Sequence, residues 1–191
     1  MAETVSHEEF CRQGRLVDLR RVPHYHRSML EGFPPIHAPE STILILGTGP
    51  SVTSLQKREY YGFARNAFWP ILSSVYCHPI DSYGEKTALI VSSRLALWDV
   101  LARFEREQSL DSNYRSVLPN ALIPFIDEHP QLRKILFNGT QAARFYDRLI
   151  GYRPPSIEFF TLPSTSPAYT LACEEKLHIW RSALLEESGG A

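Results

Sequence analysis

An α/β sandwich, a mostly parallel sheet flanked by helices, is predicted by three features of the sequence. Short continuous apolar runs such as STILILG (41–47) have the length and β-branched content of strands buried on both faces. Helix-like stretches alternate with them, the order of a parallel sheet with crossover helices. The chain has 191 residues, 43% apolar and 21% charged, which suits one compact domain with a sizeable core.

Residues 1–31 read as an N-terminal extension and 32–187 as the domain. The extension holds Arg12, Arg15, Arg20, Arg21 and Arg27, which could touch phosphates or form a solvated helix face. His24 and His26 lie among them but make an incomplete metal site. GFPPIHAPES follows, where Pro34, Pro35 and Pro39 disfavour helix. STILILG is the first buried strand, and FWPILSSVYC reads as a helix beside an aromatic loop. TALIVSSRLALWDVLARF fits either a helix or a strand with a turn. LPNALIPFIDEH is helical, LRKILFNG is a strand ending in Asn138-Gly139, and QAARFYDRLI is its following helix. SIEFFTLPSTSPA is a last strand running into a loop. ACEEKLHIWRSALLEE closes the chain as an amphipathic helix with Leu177, Trp180 and Leu184 on one stripe.

Right-handed crossovers place all parallel strand ends on one edge, and ligands bind at that edge. The segments that follow the strands are therefore where chemistry is expected: GTGPS, LWD, FNG and LPSTSPA. Net charge is −1, so only a local basic face could serve a polyanion. Cys11, Cys77 and Cys173 are odd in number and far apart, which predicts a reducing compartment and neither a disulfide framework nor a structural zinc. The N-terminus lacks the apolar core of a secretory signal, and no run approaches the roughly 18 apolar residues of a membrane span. A cytoplasmic monomer without a membrane partner is expected.

The glycine turn suggests a dinucleotide site first. Gly47 and Gly49 fit G-x-G-x-x-G, but position 52 is Val, and Pro50 and Ser51 stand where the helix should begin. No G-K-[ST] follows for a phosphate loop, and Ser51 lacks the G-x-S-x-G elbow of an esterase. The next segment is YYGFARNAFWP (60–70), five aromatic residues around Asn66. Aromatic clusters are usually core, as Trp69 is expected to be. This one lies next to the ligand edge and holds an amide, which needs partners if buried. Stacking faces plus one amide suit a planar base: stacking is worth about 1–3 kcal/mol per base, and the amide sets an acceptor beside a donor. Hypoxanthine (N1–H beside O6) and uracil (N3–H beside a carbonyl) both match.

GFPPI, ILILGTGPSV, YYGFARNAFWPIL, LALWDVL, SLDS, ILFNG and LPSTSPA, in this order over about residues 32–184, resemble the uracil-DNA glycosylase superfamily. The set is most similar to its hypoxanthine- (deoxyinosine-) DNA glycosylase branch. The resemblance implies a three-layer sandwich around a four-stranded sheet. It also implies hydrolysis of the N-glycosidic bond of a deaminated base in DNA, without metal or cofactor. Two positions depart from the wider superfamily: Gly49 stands where Asp or Asn positions water, and Leu162 where a histidine stabilises a departing pyrimidine. Within the branch, an asparagine like Asn66 is expected to read the base and one like Asn138 to assist hydrolysis.

On that reading the base meets Gly47, Thr48 and Gly49, the rings of Tyr61 and Phe68, and the Asn66 amide. Asp99 is expected to accept a proton from water or to stabilise the cationic sugar. Ser51, Ser164, Thr165, Ser166 and Pro167 are expected to grip the strand, and Pro167-Ala168-Tyr169 to wedge into the stack. Taken alone, Asn138-Gly139 make an ordinary turn, Asp99 a surface or capping carboxylate, and LPSTSPA a loop with a Ser or Thr cap. Two other functions remain open on the residues: a protein of this fold that only binds nucleic acid or a nucleotide, and a nucleotide-cofactor enzyme.

Overall fold

The structure, a computed structural model, describes residues 29–106 and 114–186. In chain order the described elements are β1 (Leu30–Glu31), β2 (Ile43–Gly47), α1 (Val52–Lys57), α2 (Phe68–Tyr76), α3 (Tyr83–Ser92), β3 (Leu95–Asp99), β4 (Leu101–Arg106), β5 (Tyr114–Pro119), α4 (Leu122–Asp127), β6 (Lys134–Asn138), α5 (Thr140–Leu149), β7 (Glu158–Leu162) and α6 (Cys173–Leu185). The arginine and histidine cluster of residues 12–27 and Cys11 lie outside the described residues.

The main sheet is four-stranded and parallel throughout, in the order β3-β2-β6-β7. Successive side chains of a strand face opposite ways, and the continuous apolar runs supply both faces. Leu44, Leu46, Ile135 and Phe137 join one core, closed by Phe125 of α4 and Phe145 and Tyr146 of α5. Ile45, Leu95, Leu97 and Leu136 join the other, closed by Phe68 and Leu72 of α2, Ile90 of α3 and Trp180 of α6. This is the three-layer sandwich expected from the sequence. The closing helix presents Trp180 and Leu184 buried, with Leu177 partly buried beside them.

The ambiguous stretch TALIVSSRLALWDVLARF resolves into one helix and two strands. A capping box at Ser82 and Glu85 starts α3. The helix gives way at Arg94, which takes a left-handed backbone (φ 54°), and β3 begins at the next residue. Only Val100 separates β3 from β4, which turns away into a second, antiparallel sheet of order β1-β4-β5. That sheet was not foreseen. Leu30 and Glu31, assigned to the extension on sequence, pair in it with Phe104 and Arg103.

The register decides where chemistry can occur. Gly47 pairs with Asp99, and Asn138 with Leu162. Four strand ends therefore reach the same edge, and each runs into one of the segments singled out in the sequence.

Candidate active site

A cavity of about 320 Å³ opens at that edge. It lies at the small end of the ~300–1,000 Å³ typical of ligand sites, which suits a single base better than a dinucleotide. Its walls are the turn Gly47–Ser51, Tyr60, Tyr61, Phe63 and Asn66 of the aromatic loop, Asp99, Asn138 and the loop Ser164–Ala168.

The turn is pinned from behind. The Gly47 carbonyl accepts from the Val100 amide at 2.9 Å and the Thr48 carbonyl from Leu101 at 3.0 Å. A Cβ on Gly47 would collide with the Asp99 carboxylate and lie 3.0 Å from the Tyr61 hydroxyl oxygen. Glycine here is what lets both groups close over the end of β2. A Cβ on Gly49 would point elsewhere, to 2.9 Å from Cε1 of the fully buried Phe104 in β4. The side-chain space at position 49 is therefore filled by an aromatic ring from the small sheet. Gly49→Ala is expected to cost about 1–3 kcal/mol of stability through overpacking. A urea titration with an unchanged midpoint would refute this. Ser51 caps α1: its hydroxyl accepts from the Ser54 amide at 3.1 Å and donates to the Ser54 hydroxyl at 3.0 Å.

Tyr61 holds a left-handed backbone (φ 51°), a conformation that a residue with a side chain adopts at a cost and that clusters at functional sites. Its ring stacks on Phe68, centroids 4.0 Å apart and planes 25° from parallel. Phe68, expected against the base, is fully buried and does not reach the cavity; it backs Tyr61 instead. The second aromatic wall is Phe63, whose ring lies 5.5 Å from the Arg65 guanidinium. Asn66 lies on the cavity wall as expected, with one addition. Its carbonyl oxygen accepts the amide of Phe68, the first residue of α2, at 3.0 Å. That bond orients the amide and leaves the Nδ2 hydrogens and a second oxygen lone pair for a ligand.

Asn138 is buried, and both ends of its amide meet Thr165. Nδ2 donates to the Thr165 hydroxyl and Oδ1 accepts the Thr165 amide, each at 2.8 Å. Thr165, expected to contact phosphate, has no exposed surface, and its hydroxyl already accepts from Asn138. It is a structural pin, and its carbonyl also accepts the Ala67 amide at 3.0 Å. Ser164 and Ser166 remain accessible; their hydroxyls accept the Ser166 and Ala168 amides at 3.2 and 3.3 Å and keep their own protons to donate. Two side chains of α6 fix the ends of this loop. Trp180 donates to the Pro163 carbonyl at 2.9 Å, and the buried Lys176 donates to those of Ser166 and Tyr169 at 3.2 and 2.7 Å. Tyr169 projects half-exposed beside Pro167 and Ala168.

Asp99 is 4% exposed, so its carboxylate lies in a largely water-excluded place. Burial first, and the Asp99 charge second, push the Tyr61 phenol far above its ordinary range, with the Asn138 amide opposing them. The phenol keeps its proton. Among the described residues no group of three or more His, Cys, Asp and Glu could hold a metal ion, and no helix is long and apolar enough to cross a membrane.

Comparison with known proteins gives a consistent result. The family model of the Uracil DNA glycosylase superfamily matches residues 34–184. The hypoxanthine DNA glycosylase of Methanosarcina acetivorans is 34% identical over 139 residues, covering 72% of this chain and 86% of that protein. That of Methanosarcina barkeri is 32% identical over 126 residues, covering 64% and 80%. A Methanosarcina acetivorans protein solved by solution NMR, described as a candidate uracil DNA glycosylase, superposes with a TM-score of 0.71 at 30% identity, over 82% of this chain and 97% of that one.

Proposed function

This chain belongs to the uracil DNA glycosylase superfamily and is a DNA glycosylase; we propose that the base it releases is hypoxanthine, the deamination product of adenine, leaving an abasic site for base excision repair. The oriented Asn66 amide on the wall of a cavity of about 320 Å³ fits the polar edge of a deaminated base, purine or pyrimidine alike. The observation that carries the choice of hypoxanthine is Leu162 at the end of β7, where the wider superfamily places a histidine for a departing pyrimidine. The names of the relatives support it.

The damaged nucleotide must leave the helix to be reached, and a mismatched base flips more cheaply, which adds selectivity. Ser164 and Ser166 donate to the strand, with Pro167, Ala168 and Tyr169 filling the gap left in the stack. The flipped base lies between the glycine turn and the rings of Tyr61 and Phe63, with its polar edge at Asn66. Asp99 faces the sugar from the end of β3. There it stabilises the cationic sugar or takes the proton of the attacking water.

The test is a single-turnover assay on duplexes carrying hypoxanthine, uracil or xanthine, followed by alkali to cut abasic sites. The hypoxanthine strand is expected to be cut fastest. Asn66→Ala is expected to slow it by about ten- to a hundredfold, the loss from one unmade hydrogen bond to a buried polar edge. Rapid cutting of uracil with hypoxanthine left intact would overturn the choice of base.

A further inference from the structure

The Tyr61 hydroxyl has no part in the machinery so far. Its oxygen is sealed from solvent and meets no hydrogen-bonding partner at bonding geometry among the described residues. Buried polar groups are nearly always paired, so an exception calls for an explanation. The Asn138 amide lies close enough to act on this oxygen, but as a donor, so the phenol's own proton is still to be given. The hydroxyl sits over the end of β2, 3.0 Å from where a Gly47 Cβ would lie, on the cavity wall next to the Asp99 carboxylate. The stack on Phe68 and the left-handed backbone fix its direction. Burial beside a carboxylate keeps the group a donor at every ordinary pH. A fixed, protonated donor buried on the wall of a small cavity is a preorganised dipole for negative charge.

We propose that Tyr61 is a catalytic residue whose hydroxyl donates a hydrogen bond to the base as it departs. The inference rests on the glycosylase reading but not on which base is taken. The C1′–N bond breaks with both electrons passing to the base, whose ring nitrogens and carbonyl oxygen become anionic. Tyr61 donates to one of these atoms and keeps its proton. Water adds its oxygen to C1′ and gives its proton to Asp99, from which it passes to the base anion, so that neutral base and abasic sugar result. Leu162 has no donor at the end of β7, and the hydroxyl supplies from the aromatic loop the stabilisation absent there.

Tyr61→Phe removes one oxygen and keeps the ring and its stack. Single-turnover release of hypoxanthine is expected to fall on the order of a hundredfold, as when one preorganised donor is deleted. Duplex affinity is expected to stay within about twofold and thermal stability to be nearly unchanged, because the phenol gives its proton to no group among the described residues and loses only the approach of the Asn138 amide. Xanthine, the more acidic base and hence the better leaving group, is expected to suffer a smaller loss than hypoxanthine. A loss below about threefold, under 1 kcal/mol of barrier, overturns the role, as does an equal loss on every base together with a lowered melting temperature. A wild-type protein inert on all duplexes overturns the glycosylase reading itself. An active wild type matched by Tyr61→Phe overturns the hydroxyl alone.

Discussion

Gly47→Ala is expected to slow base release about a hundredfold or more, some 2.7 kcal/mol of barrier, while leaving the protein folded. The added methyl group falls on the Asp99 carboxylate and crowds the Tyr61 hydroxyl. Asp99 is held from behind, since its carbonyl accepts the Asn120 side-chain amide at 2.8 Å and its strand is paired with β2 in register. The carboxylate must therefore rotate out of place, and a misplacement of about 1 Å is enough to cost a factor of a hundred. Position 49 is the control. Gly49→Ala presses on Phe104, away from the cavity, so it lowers stability while the folded fraction keeps its rate. Equal rates for Gly47→Ala and wild type in single-turnover cleavage would remove Asp99 from the chemistry.

Asn138→Ala is expected to lower both stability and rate. The Thr165 amide is buried and would lose its acceptor, a penalty of about 1–3 kcal/mol. Base release is expected to fall tens- to hundredsfold. Asn138→Asp separates the two effects. A carboxyl still accepts the Thr165 amide, and the Thr165 hydroxyl can turn to donate to it; in acid, where burial beside Asp99 keeps the new carboxyl protonated, denaturant stability should stay near wild type, and it should fall as pH rises and a second buried charge forms. The Nδ2 donor is gone, and the rate is expected to remain low. Cleavage by the Asn138→Asp variant within about threefold of wild type would reduce Asn138 to a fastener of the loop.

How much of this was legible in the sequence depends on whether the deciding contacts are local. STILILG and KILFN carry their burial in composition, and EFFTL, a largely exposed edge strand, carries the aromatic and β-branched content of a strand, so the parallel sheet and the edge where the cavity opens could be read directly. Arg94 could not: nothing in SSRLAL marks a left-handed residue where the helix stops. The small sheet was hidden because Leu30 finds Phe104 far along the chain, and β5 (YRSVLP) has no clear alternation. Asn66, Asp99 and Asn138 do line the cavity, because strand ends and aromatic loops flag themselves. Phe68 lies off the cavity, and Thr165, though on its wall, is paired with Asn138, because inward and outward facing depend on tertiary packing. Phe68 turns into the core behind Tyr61, and Thr165 turns toward Asn138. For Tyr61 the sequence marked the ring, in an aromatic run beside the glycine turn, and said nothing of a buried hydroxyl.

The two-sided clasp of Asn138 on Thr165, continued by the Thr165 carbonyl to Ala67, has a consequence for how the enzyme surveys intact DNA. Ala67 follows Asn66 and caps the start of α2. On the proposed roles, the loop that would hold the strand and the amide that would inspect the base are thus joined by a continuous run of hydrogen bonds. Any linkage between them is reciprocal. A normal base seated badly at Asn66 is then expected to loosen the hold of the serine loop on the phosphates through Thr165, and a base that seats well to tighten it. Dwell time on the strand is expected to differ between intact and damaged duplexes, and a Thr165→Val variant to bring the two dwell times together.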